Sequence, residues 1–274
     1  MGDILTPEEK MDPYLKSNRE LWDAWTELHE RSELYDVEGF KQGKFRLNPF
    51  EKQDVGDVRG KTLLHLQCHF GLDTLSWANL GAIVTGADFS EKAIALARRL
   101  SEETGIPATF VCSNIYDLPE ALEGQYDIVF TSHGVLGWLP DIDAWAKVVA
   151  HFLKPGGTFY IAEVHPVVWI WDPEHPDALV PQYSYFHKEP LRFETVGSYA
   201  SAEDYRGVEY GWNHTLSDYI NGLIKAGLTI QEFNEYPFLT WKAFPWFVED
   251  EQGYWRMPAG QESIPLLFTL KATK

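Results

Sequence analysis

The chain is short of cysteine, short of positive charge and without a long apolar run, and each shortage narrows what it can be. Only Cys68 and Cys112 occur in 274 residues, so no disulfide framework is implied and an apolar core must carry the fold. Lys and Arg together number 23 against 41 Asp and Glu, a net charge of −18. A phosphate-backbone binder needs clustered cations, so no nucleic-acid partner is expected. The acidic balance serves mainly for solubility. No stretch reaches the roughly 18 consecutive apolar residues that span a bilayer. Asp3, Pro7, Glu8 and Glu9 do not make a secretory signal. A cytoplasmic chain with no membrane partner, monomeric or homodimeric, is the expectation. The hydrophobic fraction of 45% is enough to fill a globular enzyme core.

Apolar periodicity organises the rest. Helical spacing of Leu21, Trp25 and Leu28 predicts a helix over 14–33. A polar connection over 54–61 leads into a strand at 62–66, a helix at 73–80 and a strand at 82–88. Ser90 is placed to cap the next helix, whose stripe is Ala93, Leu96, Ala97 and Leu100. Strands at 108–112 and 126–131 follow, then a helix capped by Asp141. That helix is expected to stop at Lys154-Pro155-Gly156-Gly157, before a strand at 158–163. Residues 166–212 hold prolines and aromatics with little periodicity, too much chain for a plain connector. A helix at 215–226 and strands at 228–236 and 263–272 complete the reading. Strands alternating with helices imply an α/β fold, with right-handed crossovers and a parallel sheet covered on both faces.

The most informative stretch is Leu64-His65-Leu66-Gln67-Cys68-His69-Phe70-Gly71, followed by Gly86-Ala87-Asp88-Phe89-Ser90. It reads as strand, tight loop, helix and a second strand ending in a carboxylate. Asp88 follows Gly71 by close to the interval of about 20 residues at which nucleotide-binding folds place an acid on a ribose. An ionised carboxylate can accept from both ribose hydroxyls, so an adenosine-containing cofactor is expected. A pyrophosphate would need bare glycine backbone at a helix N-terminus, and this loop has one glycine.

The segment resembles the first motif of class I S-adenosylmethionine-dependent methyltransferases, where Leu-Asp-Leu-Gly-Cys-Gly-x-Gly is common. Leu64, Leu66, Cys68 and Gly71 match that pattern; His65, Gln67 and His69 replace its acid and two of its glycines. Asn114 in Val111-Cys-Ser-Asn114-Ile115-Tyr-Asp117-Leu-Pro119 stands where the family's aspartate accepts from the adenine amino group. Leu153-Lys-Pro-Gly-Gly157 is similar to a turn frequent before its fifth strand. The resemblance covers 60–165 well and the part from Trp212 onward loosely. It implies a doubly wound, mostly parallel seven-stranded sheet of Rossmann-like type with an antiparallel last strand. The chain then reads as one domain over 1–274. Within it, 1–60 is a helical lid, 61–165 the cofactor-binding core, 166–212 an acceptor-side insertion and 213–274 the completion of the sheet.

S-adenosylmethionine is the cofactor so implied, held by Gln67, Cys68, His69 and Gly71, by Asp88 and Phe89, by Asn114 and Ile115, and by Ser132. Tyr14, Asn18 and Trp22 are expected to close over it. Methyl transfer mainly requires an acceptor held in line and shielded from water. A base is needed only for an acceptor protonated at working pH, and histidine suits that task. His165 and His133, following the fifth and fourth strands, are the catalytic candidates. The acceptor is expected to be a small, partly aromatic or apolar molecule, facing an insertion rich in Trp169, Trp171, Tyr183, Tyr185 and Phe186. Three other readings compete. His65, His69, His133 and His165, with Glu163, could hold a transition metal, although their spacing matches no local metal motif. The fold could instead serve a nicotinamide-dependent oxidoreductase, or a cofactor-binding protein without turnover.

Overall fold

A computed structural model describes residues 12–260 and 263–274, with backbone only at 202–204. The acidic residues Asp3 to Glu9 lie outside the described residues. Seven strands form one sheet in the order β3-β2-β1-β4-β5-β11-β8, and two further two-stranded sheets, β6–β7 and β9–β10, stand apart from it. The chain divides into two compact units, residues 1–123 with 190–211, and residues 124–189 with 212–274.

The first unit opens with α1 (Pro13–Glu30), started by Asp12, whose side chain accepts from the Tyr14 amide, and by a proline at the first turn. Its buried face carries Leu15, Asn18, Leu21, Trp25 and Leu28 at helical spacing. Two short helices follow, α2 (Val37–Lys41) and α3 (Pro49–Val55). At five and seven residues each is under two turns, too short to show a period. Next come β1 (Thr62–Leu66), α4 (Leu72–Asn79), β2 (Ile83–Asp88), α5 (Glu91–Thr104), β3 (Thr109–Cys112) and α6 (Leu118–Ala121). β1 pairs parallel with β2, and β2 with β3. Four of the five residues of β1 are buried, as expected of a strand covered on both faces.

Gly71 closes the β1 loop with φ 76°, and a Cβ there would stand 2.6 Å from the Phe110 ring. The close approach that requires glycine here is to the Phe110 ring of the protein's own core. Gly71→Ala should lower stability by about 3 kcal/mol, combining left-handed strain with overpacking. A melting temperature equal to that of the native chain would refute this account.

The hairpin β6 (Leu191–Ser198) and β7 (Ser201–Gly211) belongs to the same unit and lies along α1. Leu191, Phe193 and Thr195 alternate in burial with the exposed Arg192, Glu194 and Val196. The period of two was present in the sequence, where 166–212 was read as lacking order. The expected insertion is thus split, its second half packing with the N-terminal helix.

The second unit holds β4 (Tyr126–Thr131), α7 (Ile142–Phe152), β5 (Leu153–Val164), α8 (Leu216–Lys225), β8 (Thr229–Tyr236), the short β9 (Val248–Glu249) and β10 (Trp255–Arg256), and β11 (Leu267–Thr273). β4 and β5 are parallel, whereas β11 runs antiparallel to both β5 and β8. One boundary differs from expectation. α7 ends at Phe152 and the strand starts at Leu153, so Lys154-Pro155-Gly156-Gly157 lies inside β5. Gly156, with φ 76°, donates its amide to the Lys274 carbonyl, and Lys274 donates back to Gly157. These pairings draw the glycine turn into the ladder as an irregularity rather than a helix stop.

Candidate cofactor and acceptor sites

In the first unit, the carboxyl ends of β1 and β2 bring together the loop Gln67–Gly71 and Asp88. Asp88 Oδ2 accepts from the His69 amide at 2.8 Å, and Oδ1 from the Ser90 amide at 2.9 Å. Each oxygen keeps a lone pair, so the carboxylate can still receive two hydroxyl donors. Burial pushes its pKa up to about 6, against the Ser90, His69 and Phe89 amides, which favour the charged form. Only the ionised form accepts from a diol at both oxygens. Affinity for an adenosine ligand should therefore be level above about pH 7. It should weaken as pH falls through about 6, by at most about tenfold per unit. Calorimetric titrations at pH 5 to 8 test this, and a flat profile would remove Asp88 from the ligand. Ser90, next to it, caps α5 by accepting from Ala93 and donates to Asp23 of α1.

The loop keeps the backbone of a glycine-rich turn without its glycines. Gln67 and His69 sit at φ 55° and 51°, in the left-handed region. Asn114 Oδ1 accepts from the Tyr116 amide at 3.2 Å, and Ile115 beside it is buried. Phe89 is half-buried at the end of β2.

Several expected ligand contacts are corrected. The Cys68 thiol lies in the core with Phe70, Leu96 and Phe110, and burial pushes its pKa well up. Asn18 is fully buried, and both ends of its amide bond the Tyr210 backbone at 2.8 Å. Ser17 donates to the Val208 carbonyl at 2.9 Å, and the Tyr14 ring packs at a tilt against that of Tyr210. Asn18 and Tyr14 thus tie α1 to β7 instead of closing on a cofactor. Trp22 does reach the loop, its ring 5.1 Å from that of His69. Around it lie Trp25, His29, Tyr35 and Tyr199, which sequence reasoning missed. Only His29 left a trace there, as a polar residue one turn beyond Trp25 on an apolar face.

In the second unit, β4 ends at Thr131, followed by the buried Ser132 and the half-buried His133. Glu163 near the end of β5 is 2% exposed. Its Oε1 accepts from the Gly134 and Val164 amides, both at 2.6 Å. Its Oε2 accepts from Val135 at 2.9 Å and Leu136 at 3.0 Å. Burial pushes this carboxyl above its usual range, while the four amides pull it back. The contacts fix the loop that carries His133.

His165 departs from its expected role. Its Nδ1 accepts from the Val167 amide at 3.2 Å, capping the turn Pro166–Ile170. Its Nε2 stands 3.1 Å from Glu235 Oε1, which fixes the proton on that nitrogen. With Nδ1 accepting and the proton therefore on Nε2, the neutral ring keeps no lone pair for a substrate proton. Glu235 borders an open cleft with Pro237, Ile264 and Pro265. The grouped-histidine reading also changes, since His65 is buried and its Nδ1 meets Thr74 Oγ1 at 2.9 Å. Among the described residues, no group of three or more His, Cys, Asp or Glu is placed to hold a metal ion. Among them, too, no helix is long and apolar enough to cross a membrane.

The profile of a methyltransferase domain matches residues 63–157, spanning β1 to the glycine turn of β5. Over that segment the chain is similar to methyltransferase domains. A ubiquinone biosynthesis O-methyltransferase of Photorhabdus laumondii is 33% identical over 138 residues, 49% of this chain and 57% of that protein. A protein of the same name from Serratia proteamaculans is 28% identical over 59% of this chain and 70% of its own length. The chain therefore spans little more than half the length of the first relative. Among solved structures, an S-adenosylmethionine-dependent methyltransferase from Clostridium acetobutylicum superposes with a TM-score of 0.57 at 14% identity, covering 92% of this chain and 98% of that one. One from Mesorhizobium loti gives 0.53 at 20% identity, over 82% and 96%. At such identities these likenesses establish the fold: a seven-stranded, mostly parallel sheet with an antiparallel last strand.

Proposed function

We propose that this protein transfers a methyl group from S-adenosylmethionine to a small-molecule acceptor. The observation that carries the reading is Asp88, buried at the end of β2, with one lone pair left on each oxygen beside a left-handed loop. A diol is the ligand group that matches two outward acceptors, and a ribose supplies it. The donor set fits the cofactor: an anionic acceptor pair for the sugar, and Asn114 next to the buried Ile115 for the base. When bound, S-adenosylmethionine supplies a methyl group already activated by its sulfonium. The chain's own residues then have to bind, orient and exclude water.

Glu163 holds the loop after β4 rigid through four amides, which fixes the direction of His133. His133 is the remaining candidate for removing a proton from the acceptor, because His165 is occupied on both nitrogens. The relatives named for O-methylation favour a hydroxyl-bearing acceptor, partly aromatic or apolar. A cytoplasmic enzyme without a nucleic-acid partner, monomeric or homodimeric, is consistent with the net charge of −18. Thermal shift tests the reading. S-adenosylhomocysteine should raise the melting temperature and NAD or NADP should not, and the reverse result would transfer the protein to the oxidoreductases.

A further inference from the structure

Asp88 accepts from the amides of His69 and Ser90 at 2.8 and 2.9 Å, one to each oxygen. The side chains of both donors are bonded to a single helix, α1. The Ser90 hydroxyl donates to Asp23 Oδ1 at 2.7 Å, and the same oxygen accepts from the Lys92 amide at 3.1 Å. The His69 imidazole meets that of His29, with Nε2 and Nδ1 3.0 Å apart. From one element, therefore, Asp23 and His29 reach the two residues that hold the sugar carboxylate.

Local structure does not call for either bond. Ser90 caps α5 through its oxygen, which accepts from the Ala93 amide at 3.0 Å. Its hydroxyl proton is left over, and Asp23 takes it at a fully buried position where water does not compete. The seating of α1 has other supports. Glu27 pairs with Lys92 and Glu30 with Arg99 on α5, while Ser17 and Asn18 bond the backbone of β7. His69 lies at φ 51°, where a residue with a Cβ is strained, so its amide keeps its direction best while the ring is held. Burial keeps both imidazoles neutral, taking the pKa of His29 down to about 3 and that of His69 well below its usual value. Each neutral ring has one N–H and one lone pair, so one can donate to the other.

We infer that Asp23 and His29 are positioning residues for the cofactor's ribose, each holding one of the two residues whose amides orient Asp88. The N-terminal helix acts on the sugar through Ser90 and His69, without touching the ligand. Loss of either bond lets one amide shift, and the free lone pair on the matching Asp88 oxygen then turns away from its ribose hydroxyl. This rests on the proposed cofactor and adds the residues that set the direction of its sugar acceptor.

The test compares two ligands by calorimetry: S-adenosylhomocysteine, and its 2′,3′-dideoxy analogue, which has no hydroxyl to offer Asp88. Asp23→Ala removes the acceptor from a half-buried position, and Asp23→Asn keeps an acceptor oxygen there. In Asp23→Ala the preference for S-adenosylhomocysteine should fall at least about threefold, while the dideoxy analogue binds as it does to the native chain. Asp23→Asn should restore the native preference. His29→Phe keeps a ring in the core and should lower the preference as Asp23→Ala does; the Asp23 variants decide the matter if it does not fold. A preference in Asp23→Ala within about threefold of native overturns the inference. So does an equal loss for both ligands, or an Asp23→Asn that behaves like Asp23→Ala. A native chain that binds neither ligand, or both equally, refutes the proposed cofactor site itself, a result distinct from these.

Discussion

Asp88→Ala is expected to weaken binding of S-adenosylhomocysteine by at least about tenfold, equivalent to about 1.4 kcal/mol. Each ribose hydroxyl that donates to a carboxylate contributes roughly 1.5–3 kcal/mol, and the substitution removes both acceptors at once. The His69 and Ser90 amides also lose their acceptor, which loosens the loop that shapes the site. Asp88→Asn separates the two effects. Its amide oxygen can still accept from one backbone N–H, yet one of two outward acceptors becomes a donor. An intermediate loss is expected there. Calorimetry at pH 7.5, above the pKa of about 6, keeps the native carboxylate ionised. An affinity within about twofold of native for Asp88→Ala would show that the sugar lies elsewhere.

The second large effect is on stability. Glu163→Gln should destabilise the protein by about 3 kcal/mol, lowering the melting temperature by roughly 6–12 °C. Four backbone amides converge on this carboxylate, from Gly134, Val135, Leu136 and Val164. A glutamine presents an oxygen to two of them and an NH₂ to the other two, so donors face donors inside the core. The neutral side chain is cheaper to bury, which offsets part of the loss. The loop after β4 is where the strain falls, and faster hydrogen exchange at the amides of 134–136 should accompany the lower melting temperature. Native-like values of both would mean that the carboxylate does not anchor the loop.

The fold was largely legible because its signals are local. Strand β4 was read with the bounds it has, and Ser90, Asp141 and Thr215 sit at the helix starts expected of them. Short elements escaped, since α2 and α3 are under two turns long. The hairpin escaped for a different reason: its alternation was present, but prolines and aromatics before it suggested irregular chain. At Asp88 the sequence did show an acid at the end of a strand, which is where the structure has it. The contacts of Cys68, Asn18 and His165 were not legible, because a residue's place on an element does not say what its side chain meets. Asn18 lies on the buried face of its helix, and only the hairpin strand beside it takes both ends of its amide.

By itself the sequence determined the succession of strands and helices, the acid at the end of β2 and the net charge of −18. Periodicity, capping and charge are properties of neighbouring residues, so they can be read along the chain. Tertiary structure alone decided that His29 meets His69 and that Glu163 is enclosed by the amides of a distant loop. It also decided that His165 is used up by its own turn and by Glu235. Those pairings join residues far apart in the chain, and an imidazole or a carboxylate takes its chemical role from the donors and acceptors that folding brings against it.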